Sequence, residues 1–143
     1  MECIAYRKGY KYQLREEYIV ETGIAARQDV DTDFIGLTTG GKLTIKRGYA
    51  WDGPSGPTFD TLNFMRGSLV HDALYQLMRE RHLDKDKDRN AADLLLQQMC
   101  REDGMWPPRA WWVYVALKFG GGPAADPSND KQTVKAPKAC QEK

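Results

Sequence analysis

Histidine is the scarcest chemistry-bearing residue in this chain, with two in 143 residues. With three scattered cysteines as the other soft ligands, a zinc centre of ordinary ligand type is poorly supplied. Cysteine is almost as sparse. Cys3, Cys100 and Cys140 are an odd number spread over the whole chain, without a CxxC pair, which argues against a disulfide framework and for a reducing compartment. Neither sign of charge dominates: 21 Lys and Arg against 20 Asp and Glu leave a formal net charge of +1. No general attraction to nucleic acid or anionic lipid follows from that balance, specific nucleic-acid binding is not expected, and any such contact must be local. Long apolar runs are missing too. The opening "MECIAYRKGYKYQ" has no basic stretch followed by an apolar one, so no signal peptide is expected, and no segment is long enough to span a bilayer. The expectation is a soluble, cytosolic protein.

What is present suffices for one core. Apolar residues make up 41% of the chain, enough for one domain of this length and not for two. Up to about residue 50 the apolar positions alternate in short runs, "KYQL", "EYIVETGI" and "DFIGLTT", and Gly40-Gly41 makes a tight connection into "KLTIKRGYAW". This half reads as strands. A loop over 51–60 follows, and the spacing beyond it is helical over 61–120. Asp60 is placed to cap a first helix running to about Arg81, with Val70, Ala73, Leu74 and Leu77 on one stripe. A second helix starts within "LDKDKDRN", carries Ala92, Leu95, Leu96 and Met99 inward and stops at Gly104. Pro107-Pro108 suits the first turn of a third, "RAWWVYVALKF", ended by Gly120 to Gly122. The pattern predicts an α+β domain over 1–122, a small N-terminal antiparallel sheet packed against about three C-terminal helices, and a disordered polar tail over 123–143.

The chemistry concentrates in "HDALY". His71 and Tyr75 are four apart and share a helix face, while Asp72 points about a quarter turn away. Asp93, beside the apolar stripe of the second helix, can accept a hydrogen bond from one ring nitrogen of His71 and leave the other free to take a proton from water. A base held in this way is worth ~100- to ~10,000-fold in rate. Asp72, facing the glycine loop, could offer oxygens to a calcium ion, joined by backbone carbonyls of Trp51, Gly53 and Gly56. Plainer readings compete at each position. A His-Asp dipeptide on an amphipathic helix is commonly a buried hydrogen-bonded histidine beside a solvated acid. Arg89 and Asp93 are spaced as an ordinary ion pair, worth roughly 0.3 kcal/mol. The glycines and prolines of "WDGPSGP" can build two consecutive turns, Tyr75 can simply pack, and the aromatics of "AWWVYVALKF" can fill a core. Phosphohydrolases built on a metal-binding His-Asp dyad are excluded, because no histidine precedes His71.

Two resemblances enter with these motifs. "LTIKRGYAWDGPSGP", "LVHDALY", "RNAADLLLQQM" and "YVALKFGG" follow, over most of residues 40 to 121, the order "ITVPAGF-TD-ASVP", "HDxLY", "AD" and a closing "FG". That order resembles an uncharacterised domain family of tailed phages and prophages. The likeness implies a place in the host cytoplasm or the virion, with a phage or host protein as partner, and no established activity. More narrowly, "WDGPSGPTFDTLNFMRGSLVHDALYQLM" is similar to the core of bacterial secreted phospholipase A₂ enzymes, where a calcium loop precedes an HDxxY helix. That resemblance implies His71 as the base, Asp93 as the orienting acid, Tyr75 as its supporting donor, Asp72 as a calcium ligand, and a phospholipid or membrane surface as partner. The chain departs from those enzymes where they carry a disulfide-forming cysteine shortly before the histidine, since Gly67 and Ser68 stand there. The two helices must then be held by packing alone. The prolines of the loop also offer carbonyls without N–H groups, which weakens any oxyanion-binding role for it.

Overall fold

A computed structural model describes residues 4–6, 12–51, 62–120 and 134–136. The strand-forming half yields β1 (Ile4–Tyr6), β2 (Tyr12–Gln13), β3 (Tyr18–Glu21), β4 (Val30–Asp31), β5 (Ile35–Leu37), β6 (Lys42–Ile45) and β7 (Ala50–Trp51). The helical half yields α1 (Leu62–Arg79), α2 (Lys85–Glu102) and α3 (Pro107–Gly120), followed by β8 (Val134–Ala136). The fold is α+β as the periodicity predicts. Its strands, however, form three small antiparallel sheets: four strands in the order β3-β6-β5-β4, and two ribbons, β2-β7 and β1-β8. A hairpin joins β5 to β6, with Ile35 opposite Ile45 and Leu37 opposite Leu43. Gly41 in its loop has a φ of +92°, and a β-carbon there would lie 3.1 Å from the backbone nitrogen of Gly23. Only glycine meets both conditions.

Alternation on β5 and β6 turns Ile35, Leu37, Leu43 and Ile45 inward, all essentially without exposure. They join Val70, Ala73, Leu74 and Leu77 of α1 and Ala92 and Met99 of α2 in one cluster. Each large side chain buried there contributes roughly 1.5–3 kcal/mol. α3 packs on the other two helices through a second cluster of Phe64, Leu96, Cys100, Met105, Ala110 and Val113.

Helix ends follow their local chemistry. The Asp84 carboxylate accepts from the Asp86 backbone N–H at 2.9 Å and caps α2. At the far end of α2, Met105 N–H donates to the Cys100 carbonyl at 2.9 Å and Gly104 N–H to Arg101 at 3.1 Å, with Gly104 at positive φ. α1 ends on the same motif, with His82 N–H donating to Leu77 at 2.8 Å, but Arg81 occupies the left-handed position at φ 66°. The expected cap at Asp60 lies outside the described residues. Val134–Ala136 falls within the segment expected to be a structureless tail, yet it pairs with Ile4–Tyr6. Its partner strand stands at the opposite end of the sequence, where no local pattern shows the pairing.

Candidate functional site

The site is built on the α1–α2 contact. Gly67 lets the two helices approach closely, since a β-carbon there would lie 2.6 Å from Leu96 Cδ1 and 3.3 Å from Cys100 Sγ. One turn before His71, the Trp51 indole N–H donates to Ser68 Oγ at 3.3 Å, and Ser68 Oγ donates to the Met65 carbonyl at 2.9 Å. The strand that leads into the glycine loop is thereby fastened to the helix that carries the histidine.

His71, Tyr75 and Asp93 meet in the interior. His71 Nε2 lies 2.7 Å from Asp93 Oδ1, and the Tyr75 hydroxyl donates to the same oxygen at 2.6 Å. The side chain of His71 is 6% exposed and that of Asp93 1%, so the carboxylate depends on these donors in place of water. With its proton on Nε2, the imidazole presents Nδ1 as its basic atom. Nδ1 lies 3.7 Å from Asp72 Oδ1, beyond hydrogen-bond reach but close enough for the charge to act. Burial pulls the His71 pKa down; Asp72 and Asp93 together more than offset it, and the net shift is upward from the ordinary imidazole value. Burial also pushes the Tyr75 phenol up, reinforced by its bond to Asp93, so the hydroxyl remains a donor. The His71 and Tyr75 rings lie 4.0 Å apart at 39°, which fixes the imidazole plane.

The structure therefore brings together His71, Asp93 and Tyr75, with the partly exposed Asp72 beside them. The spacing that would have drawn Asp93 into an ion pair with Arg89 is used otherwise, since Arg89 donates to the Lys118 carbonyl at 2.7 Å. Trp51 ends β7, buried and paired with Tyr12, while Gly53 and Gly56 lie outside the described residues. Among the described residues no group of three or more His, Cys, Asp or Glu side chains could hold a metal ion. Two supporting residues escaped the sequence. Ser68 gave no signal because it reads as one more small helix residue. Arg66 binds Asp103 through both carboxylate oxygens, Glu102 at 3.0 Å and the Tyr18 hydroxyl at 3.0 Å, joining α1, the end of α2 and β3. Its partners lie 36 to 48 residues away, beyond any periodicity. No protein-family model matches the chain, and comparison with curated proteins and with solved structures returns no match either.

Proposed function

We propose that the protein is a phage-type hydrolase, a calcium-assisted esterase of phospholipase A₂-like chemistry acting on phospholipid. The observation that carries this reading is the shared Asp93 oxygen, 2.7 Å from His71 Nε2 and 2.6 Å from the Tyr75 hydroxyl. Two groups converge on one carboxylate, and together they fix the tautomer and the plane of the imidazole. Nδ1 is then the atom that takes a proton from water as the water attacks the ester carbonyl, and Asp93 stabilises the imidazolium that forms. Asp72 is the carboxylate best placed for a calcium ion, being 33% exposed next to the base; a cation there would supply charge to the developing oxyanion.

A second reading draws on the same burial. A histidine only 6% exposed between two carboxylates also serves as a polar lock between α1 and α2, in a virion, assembly or host-binding component without chemistry. Release of fatty acid from phosphatidylcholine vesicles, with and without calcium, separates the two. The hydrolase reading expects calcium-dependent turnover that His71→Gln lowers by about 100-fold or more, with a calcium-induced rise in Tm that survives His71→Gln and is lost in Asp72→Asn. No turnover and no calcium effect, with His71→Gln merely less stable, would leave the lock.

A further inference from the structure

α3 is apolar on two sides. Ala110, Val113 and Leu117 pack inward. On the outward side Pro108, Trp111, Trp112, Val115, Ala116 and Phe119 recur at helical spacing, with Trp111 58%, Trp112 54% and Phe119 84% exposed. At 3.6 residues per turn these six positions cover an arc of about 140°. Arg109 falls just past one edge of it and Lys118 just past the other, and the sequence of the helix, "PPRAWWVYVALKFG", holds no acidic residue. The burial of the inward side leaves this second stripe without a partner among the described residues.

From this arrangement we infer that α3 is a membrane-docking helix, lying in the plane of a bilayer surface with Trp111, Trp112 and Phe119 among the headgroups and upper acyl chains. Its 14 residues span about 21 Å, short of the ~30 Å hydrocarbon core, so it lies on the membrane and does not cross it. Indole rings favour that boundary because one edge is apolar and the N–H needs a polar partner. Basic residues at the two edges of the stripe reach lipid phosphates while their stems stay on the apolar side. A second copy of the chain fits less well. Trp111 and Trp112 splay by about 100° and make a face broader than a helix-pair seam. The docking goes beyond the hydrolase reading and holds with or without turnover.

Sedimentation with extruded vesicles of ether-linked phosphatidylcholine, and of its mixture with ether-linked phosphatidylglycerol, tests it on the full chain, since these lipids have no ester to cleave. The protein should sediment with both vesicles and its tryptophan emission should shift to the blue. Trp111→Ser with Trp112→Ser, checked for native circular dichroism, should bind at least about tenfold more weakly. Arg109→Ala and Lys118→Ala should each cost about fivefold, and only on vesicles containing phosphatidylglycerol. His71→Gln should sediment like the unaltered protein, which keeps a failure of hydrolysis apart from a failure of docking. Absence of sedimentation, undiminished binding by the folded double tryptophan variant, or a dimer in lipid-free ultracentrifugation that this variant dissolves would each overturn the inference.

Discussion

His71 is the residue on which stability and chemistry meet. Its surroundings are all charged or polar on the side of the ring nitrogens: Asp72 on its own helix, Asp93 from α2, and Tyr75 one turn on. Its pKa in the folded protein is raised, because the two carboxylates outweigh a burial that alone would lower it. A raised folded value means that the protonated histidine stabilises the fold. That contribution is complete below the unfolded value of about 6.5 and fades as pH climbs through the higher folded one. His71→Gln, which keeps a donor for Asp93 but cannot titrate, should therefore cost most stability near pH 6 and progressively less at alkaline pH, measured by urea unfolding at a series of pH values. The same shift sets the activity profile. The neutral imidazole is the base, so turnover should rise with pH through a limb above the ordinary histidine range. A penalty for His71→Gln that grows with pH would contradict the assignment of the charge.

At the scale of elements, the closeness of α1 and α2 decides whether Asp93 can reach His71. Gly67 sits where the helices touch, and two effects oppose each other there. Helix propensity alone would make Gly67→Ala stabilising by about 1 kcal/mol. The new methyl, however, would meet Leu96 Cδ1 at 2.6 Å, and Leu96 is itself buried at 3% exposure, with Cys100 Sγ and the Leu96 carbonyl just behind. Overpacking of this kind costs about 1–3 kcal/mol, so the expected result is a lower Tm. If the clash is the cause, Gly67→Ala should cost less in a Leu96→Ala background, and a double-mutant cycle would show the coupling. Equal effects in both backgrounds would place the cause elsewhere.

Across the whole molecule, legibility in the sequence followed the range of the interactions. The helices were readable because their stripes and stops are local: Val70, Ala73, Leu74 and Leu77 repeat at helical spacing, and Gly104 and Pro107 punctuate. The meeting of His71 with Tyr75 follows from a four-residue step, and Asp93 from its place beside an apolar stripe. The division of the strands into three sheets, the pairing of Ile4–Tyr6 with Val134–Ala136 and the bonds from Arg66 to Tyr18 and Asp103 left no trace, because each joins segments far apart in the chain. One long-range feature has an energetic consequence. Leu37, Leu43 and Ile45 from the sheet, Leu74 and Leu77 from α1 and Met99 from α2 share one sealed cluster, so neither half can open without exposing the other's apolar surface. The halves should unfold together. In native-state hydrogen exchange the backbone amides of Leu43 and Ile45 should need the same opening free energy as those of Leu74 and Leu77, equal to the global value from urea. Leu43→Ala, which empties part of that cluster, should lower all of them alike by about 2–5 kcal/mol. Sheet amides that exchange through a cheaper opening, while α1 keeps its protection, would show that the helices stand without the strands.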